Sequence, residues 1–173
     1  MSLWHPLRAR RWYLAAFAVL VLLLTACASN LAMHSFSFDA REEPGIEILD
    51  YRYGDSRQPG ARADPSTTRV RQAVDIIGDM RRPDALYVRW RDETSDKVYE
   101  ETVDLARLLP RDITDHRIHF TLRGPLLFVY LITPQRRSPS DHPVGPPEYR
   151  YRKTIILAAD IGREVPAANE GKS

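Results

Sequence analysis

Cysteine and glycine are scarce in this sequence, and their scarcity excludes several kinds of protein. Cys27 is the only cysteine among 173 residues, so no disulfide can join two parts of the chain. Only eight glycines occur, and none of them builds a phosphate-binding loop, a dinucleotide fingerprint or the Gly-x-Ser-x-Gly turn of a nucleophilic serine. We therefore expect a protein with no cofactor and no catalytic activity, which is stabilised by packing.

Positive charge is also in short supply once the first 26 residues are set aside. The whole chain has a formal charge of +2, but residues 1–26 hold Arg8, Arg10 and Arg11 and no carboxylate. The remaining chain has 22 Lys and Arg against 23 Asp and Glu, a net charge of −1. We expect no nucleic-acid partner, because binding to phosphates requires a basic surface.

The chain begins with the pattern of a targeting segment. Tyr13 to Leu24 is an unbroken apolar run of 12 residues, which follows the three arginines and precedes the small residues Thr25 and Ala26. Positive charge, an apolar run and small residues in this order are typical of an export signal. Because a membrane-spanning helix needs roughly 20 residues, we expect residues 1–26 to be a signal peptide and not a transmembrane anchor.

Leu24-Thr25-Ala26-Cys27 resembles the lipobox of bacterial lipoproteins. The resemblance implies cleavage before Cys27 and lipidation of its sulfur, which would attach the chain to a membrane. Ala28 stands where Asp often signals inner-membrane retention, so the resemblance implies the outer membrane, with the domain facing the periplasm. The alternatives are the outer leaflet of the inner membrane and an ordinary secretory signal with a chance cysteine. The segment from Pro83 to Pro134 also resembles uncharacterised proteobacterial lipoproteins, and this resemblance implies no activity.

The sequence after the signal divides into a tether, a domain and a tail. Residues 27–44 are mostly short and polar with scattered charge, which predicts a lipidated tether. Phe36 and Phe38 alternate with serines there, so a first edge strand is the alternative. Residues 45–160 predict a β-rich periplasmic domain, and residues 161–173 predict a polar C-terminal tail.

Alternating apolar and polar residues predict about six strands in the domain. Two alternating runs around a polar turn at residues 92–96 predict a β-hairpin, and Gly124-Pro125 provides the turn of a second one. In the first strand the alternation slips, which predicts a bulge near Leu49 or Asp50. The predicted strands are residues 46–53, 86–91, 98–105, 118–123, 126–132 and 149–157.

One helix is predicted beside these strands. Residues 66–80 place Val70, Ala73, Val74 and Ile77 at helical spacing, although part of this run is also compatible with a strand. The fold class we expect is mainly β, an antiparallel sandwich or sheet of about six strands with one short helix.

Arginine and tyrosine recur on several of the predicted strands and on the proline-rich loop at residues 133–147. Both residue types are enriched at binding hot spots, because they combine a large contact area with directional hydrogen bonds. The alternative is a solvated face whose arginines pair with carboxylates such as Glu100 and Asp104. The candidate partner-binding residues are Tyr87, Arg89, Arg91, Arg136, Arg137, Arg150 and Arg152.

The other chemically active side chains give little support for a metal or a catalytic site. His116 and His119 lie three residues apart, and in a strand such residues face opposite sides of the sheet. Glu100 and Glu101 are divided between two faces in the same way. We therefore expect no metal, and we interpret the carboxylates as solvated charge.

Together these features predict a lipid-anchored, non-catalytic protein of the cell envelope that binds a protein partner in the periplasm. An immunity lipoprotein that neutralises a toxin is one specific version. A structural component of an envelope assembly is the alternative function. The sequence leaves the partner and the oligomeric state open.

Overall fold

Alternating side chains build nine strands in residues 31–166, the part of the chain that this computed structural model describes. The predicted signal peptide and Cys27 lie outside the described residues. One four-residue helix, α1, covers Leu105–Leu108, and no helix among the described residues is long and apolar enough to cross a membrane. The strands are β1 Leu31–Asp39, β2 Ile46–Tyr53, β3 Ala73–Arg81, β4 Ala85–Asp92, β5 Lys97–Asp104, β6 Arg117–Arg123, β7 Leu126–Arg136, β8 Arg152–Ile161 and β9 Arg163–Val165.

The strands form two sheets, and almost all neighbouring strands are antiparallel. The five-stranded sheet has the order β3-β1-β6-β7-β8, and the four-stranded sheet has the order β2-β4-β5-β9. Only β1 and β6 run parallel to each other. The structure therefore confirms the predicted mainly β, antiparallel fold with one short helix, although it has nine strands instead of about six.

The core lies where aromatic side chains of β1 meet those of β2 from the other sheet. Phe36 stacks on Tyr53 with ring centroids 4.2 Å apart, and Phe38 meets Tyr51 edge-on at 4.8 Å. Phe120 of β6 stacks on Phe38 at 4.6 Å. All five rings are at most 2% exposed, so these contacts join the two sheets through dispersion and burial.

Both predicted hairpins are present, because their alternation agrees with their burial. Leu86, Val88 and Trp90 of β4 are fully buried, and β4 pairs with β5 over its whole length. The second hairpin pairs β6 with β7 around Gly124. The predicted bulge in β2 is also present, since the pairing with β4 shifts between Ile48 and Asp50.

The helix predicted for residues 66–80 is wrong. Its second half is strand β3, which pairs antiparallel with β1 along nine residues. Val74 and Met80 are buried, while Ile77 is 67% exposed, which is the alternation of a strand and not the stripe of a helix. The apolar residues in this segment fit both the spacing of a helix and the alternation of a strand. The long-range pairing with β1 favours the strand.

The predicted tether and tail also need correction. Residues 31–39 do not belong to a tether, because they form β1 between β3 and β6 in the larger sheet. At the other end, Arg163–Val165 of the predicted tail form β9, which pairs with β5. The folded domain therefore includes residues 31–165. Burial of the β1 phenylalanines in the core stabilises this strand, whereas a solvated tether would leave them in water.

Candidate functional site

Three of the predicted binding residues lie together on the outer face of the four-stranded sheet. Tyr87, Arg89 and Arg91 alternate along β4 with the fully buried residues of the same strand. Arg52 of the neighbouring strand β2 lies over the Tyr87 ring, with its guanidinium carbon 5.8 Å from the ring centroid. The alternation in the sequence was therefore sufficient to place this face, which we name the arginine face.

Carboxylates satisfy two of these three side chains. Arg91 Nη1 lies 3.2 Å from Glu47 Oε2, and the Tyr87 hydroxyl donates to Glu100 Oε2 at 3.3 Å. Glu100 also forms an ion pair with Arg163 of β9. This part of the face agrees with the solvated alternative, in which surface ion pairs contribute little to stability.

Arg89 differs from its neighbours because it forms no ion pair within residues 31–166. Its Nε atom is buried and has no hydrogen-bond acceptor there. A buried donor without an acceptor costs about 1–3 kcal/mol, more when it is charged. Arg89 lines a cavity of about 560 Å³. The other polar residues that border this cavity are Glu47, Thr68, Arg69, Gln72, Arg91 and Glu93. An anionic group entering this cavity would meet Arg89, a charged hydrogen-bond donor.

Gln72 holds one wall of the Arg89 cavity in place. Its Oε1 accepts from the Ile48 backbone N–H at 2.7 Å, and its Nε2 donates to the Ile48 carbonyl at 3.0 Å. A second bond from Nε2 to the Val70 carbonyl, also 3.0 Å long, fixes the loop before β3. The Gln72 side-chain amide thus bonds to the backbone N–H and C=O of Ile48 as a neighbouring strand would, next to the bulge of β2. Sequence reasoning missed Gln72, because it assigned this residue to a helix.

Two of the other four predicted arginines, Arg136 and Arg152, lie in β7 and β8 of the five-stranded sheet, and Arg137 and Arg150 lie on the chain between these strands. The seven candidates therefore do not form one surface. Arg136 stands opposite Arg152 where β7 pairs with β8. Arg137 donates to the Arg150 carbonyl at 2.8 Å, and Arg152 donates to the Pro134 carbonyl at 2.6 Å. These bonds tie the ends of the proline-rich loop together, which is a structural role for Arg137 and Arg152.

A polar pair that sequence reasoning did not connect lies on the outer face of the five-stranded sheet. Ser37 Oγ lies 2.8 Å from His119 Nδ1, and the two residues are 82 positions apart in the chain. The parallel pairing of β1 and β6 sets them side by side. Tyr149, at the end of the proline-rich loop, packs edge-on against the imidazole with centroids 5.3 Å apart. His116 is elsewhere, bonded through Nδ1 to the Thr114 carbonyl.

The geometry of this pair favours a structural role over a catalytic one. A serine beside a histidine is the arrangement of an activated nucleophile, provided that a third group orients the base. The nearest such group is Glu148, whose Oε1 is 3.9 Å from His119 Nε2, which is too far for a hydrogen bond. Ser37 and His119 are each 4% exposed. Their mutual bond satisfies two polar groups that the sheet and the loop cover.

Burial of His119 should make stability depend on pH. Burial, helped by the nearby charge of Arg117, lowers the pKa of this imidazole to about 4, although Asp75 and Asp39 partly oppose the shift. An unfolded chain binds a proton near pH 6.5 and the folded one does not. We therefore expect His119 to reduce the free energy of unfolding by up to about 3 kcal/mol as pH falls from 6.5 to 4.

Urea unfolding at several pH values tests this expectation. His119→Gln should have a flatter pH profile than the parent between pH 6.5 and 4. His142→Gln is the matched control, because His142 is exposed on the proline-rich loop, and it should keep the parent profile. Parallel profiles for His119→Gln and the parent would show that His119 is not the group responsible.

Metal binding has no cluster of ligands in the described part of the chain. No three His, Cys, Asp or Glu side chains come together between residues 31 and 166 in a way that could hold an ion. The polar cavities there are bordered instead by arginines and by isolated carboxylates. The chemistry that this arrangement offers is recognition of an anionic group by a guanidinium.

Comparison with known proteins does not assign a family. No protein-family model, no curated protein and no solved structure matches this chain. The function is therefore inferred from the residues and their geometry.

Proposed function

We propose that this chain is a lipid-anchored, non-catalytic binding protein of the bacterial envelope, which takes up an acidic side chain of a protein partner beside Arg89. The observation that carries the proposal is made at Arg89, whose buried Nε has no acceptor within residues 31–166 and which borders a cavity of about 560 Å³. A carboxylate in this cavity would form a charge-assisted hydrogen bond and remove the cost of the unsatisfied donor.

The surroundings of Arg89 suit a protein partner. Tyr87 and Arg52 present a stacked aromatic and guanidinium pair on the same face, and Arg91 lies on the other side along β4. Tyrosine and arginine around one partly desolvated charge are the usual composition of a binding hot spot. The arginine face therefore combines a central anion site with a surrounding contact area.

The lipid anchor is the second part of the proposal. It is supported by the lipobox-like Leu24-Thr25-Ala26-Cys27 after a 12-residue apolar run. Lipid on Cys27 would hold the domain at the outer membrane, facing the periplasm, where a partner can meet the arginine face. One lipid chain alone binds membranes reversibly, whereas several chains give a stable attachment.

Crosslinking in living cells tests the role of Arg89. A photoreactive amino acid at position 69, an exposed residue on the rim of the cavity, should give one protein adduct in the parent. Arg89→Ala should reduce this adduct about tenfold or more, because removing one partner of a buried charge pair typically costs 2–5 kcal/mol. Arg89→Lys should recover part of it, since the charge returns without the planar donor geometry.

Arg123→Ala is the matched control for this experiment, because Arg123 is exposed at the end of β6. It should leave the adduct unchanged. An adduct of equal intensity in the Arg89→Ala background would remove Arg89 from the binding site. The absence of any adduct at position 69 under all growth conditions would contradict a partner at this face.

Labelling with radioactive palmitate tests the anchor independently. The parent chain should incorporate the label and fractionate with membranes, whereas Cys27→Ser should lose all label, because no other cysteine is present. Intact mass should show a chain that begins at residue 27. A labelled Cys27→Ser variant, or an uncut and unlabelled parent, would refute the anchor without bearing on Arg89.

A further inference from the structure

The free edge of β8 is unusual for a soluble domain. Arg152–Ile161 is a ten-residue strand at the end of the five-stranded sheet, and within residues 31–166 it pairs only with β7. Ile155, Ile156 and Ile161 are 42%, 50% and 71% exposed. Native proteins usually protect such an edge with short strands, prolines or central charges. Residues 154–159, Thr-Ile-Ile-Leu-Ala-Ala, contain neither a proline nor a charge.

The edge at the other side of the same sheet is protected in the expected way. Strand β3 carries Asp75 and Asp79 along its length. The loop before β3 also approaches this strand, since the Gln58 side chain lies against Gly78 and Gly60 lies against Ile76. Exposed backbone with an uncharged centre is therefore a particular property of β8.

We propose that β8 pairs with β8 of a second copy of this chain, antiparallel and about a two-fold axis, so that two five-stranded sheets become one. The charge pattern of the strand carries this choice of partner. Arg152 and Lys153 lie at its start and Asp160 lies near its end. When two identical strands run antiparallel, the basic start of each lies beside the acidic end of the other.

A bulge in β8 determines the register of this pairing. Val129 pairs with Ala158 and Tyr130 pairs with Ile156, so Leu157 is the extra residue. Along a strand, alternate residues direct their N–H and C=O groups to the free edge. An extra residue shifts this alternation by one, so the odd-numbered residues do so on one side of the bulge and the even-numbered residues on the other. Hydrogen bonds between two copies then match only when the residue numbers of facing partners add up to an odd total.

The register that satisfies this condition and centres the axis on the apolar segment places Ile156 opposite Leu157 of the second copy. Ile155 then faces Ala158, and Lys153 faces Asp160. Ile155, Ala158 and Asp160 lie opposite Leu131, Val129 and Leu127 of β7, so they project to the same side of the sheet. Two Lys153–Asp160 pairs therefore form across the axis, one at each end of the apolar contact.

A carbodiimide crosslink tests this contact, because the reagent joins a lysine to a carboxylate only when the two touch. We expect the full-length lipidated protein, purified in mild detergent, to give a dimer linked between Lys153 and Asp160. The same sample contains its own positive control. Lys97 Nζ lies 2.8 Å from Glu164 Oε2 within one chain, so mass spectrometry should also find that link in the monomer.

Charge variants distinguish this dimer from chance association in a micelle. Lys153→Asp and Asp160→Lys should each reduce sedimentation or light-scattering dimer affinity about tenfold, because like charges come to face each other twice across the axis. The double variant with both exchanges should restore it, and every variant should keep the Lys97–Glu164 link. A monomeric parent that forms the Lys97–Glu164 link would overturn the proposal. So would a dimer indifferent to both exchanges, or a Lys153 link to another protein.

Discussion

Phe36→Ala should lower the free energy of unfolding by about 3–5 kcal/mol, the usual cost of truncating a fully buried phenylalanine. Phe36 is 0% exposed, and its ring lies 4.2 Å from Tyr53 and 6.1 Å from both Phe38 and Phe120, between ring centroids. The variant would leave a cavity between the two sheets. The same residue in a solvated tether would have no effect, so the measurement also tests the position of β1.

Urea unfolding followed by tryptophan fluorescence measures this loss. Of the three tryptophans, only Trp90 lies after residue 27, so the fluorescence of a chain produced without residues 1–27 reports on the core alone. Met33→Ala is the matched control, because Met33 is on the same strand but 41% exposed. It should change the free energy by less than about 0.5–1 kcal/mol. Equal effects at the two positions would mean that β1 does not depend on its buried face.

Gly162→Ala should be the second most damaging change, with a loss of about 2–3 kcal/mol or more from overpacking. Gly162 connects β8 to β9, where the chain passes from one sheet to the other. A Cβ atom there would overlap the Trp90 ring, 2.8 Å from Cζ2, and would lie 3.0 Å from Tyr99 Cβ. Trp90 cannot move aside freely, because its Nε1 donates to the Gly124 carbonyl at 2.9 Å.

The same unfolding experiment and the near-ultraviolet circular dichroism of Trp90 check this prediction. Gly78→Ala provides the comparison, since a Cβ at Gly78 would meet only the flexible end of the Gln58 side chain, 3.3 Å away. Replacing a glycine by alanine at an unstrained position is neutral or stabilises by about 0.4–1 kcal/mol. If Gly162→Ala unfolds at the parent's urea concentration, the chain between β8 and β9 does not press on Trp90.

Local alternation predicted those parts of the fold that pair with sequence neighbours. The hairpins β4–β5 and β6–β7 each join strands a few residues apart, so the turn residues and the alternating runs sufficed to find them. The position of Arg89 on the outer face of β4 followed from the same alternation. The sequence could not show the cavity beside Arg89, because Gln72, which borders it, is bonded to Ile48, 24 residues earlier in the chain.

Strand β1 was predicted only as the alternative to a tether, and as an edge strand, for a different reason. Its two neighbours, β3 and β6, come from distant parts of the chain, as the 82-residue separation of Ser37 and His119 illustrates. Serines and charges beside Phe36 and Phe38 match a tether when the segment is considered alone. The burial of both faces of β1 depends on the strands at either side, which the local sequence does not specify. Pairing with β1 is also the reason that the second half of the predicted helix at residues 66–80 is strand β3.

The central place of β1 in the larger sheet has a consequence for how the chain acquires its structure. Because β6 is synthesised long after β1 and β3, one edge of the first strand lacks its partner while most of the domain is made. Contacts between such distant segments slow folding, since a long loop must close before they are rewarded. During that delay Phe36 and Phe38 lack their contact with Phe120, so a chaperone that recognises apolar β segments would find its binding site at this edge of β1.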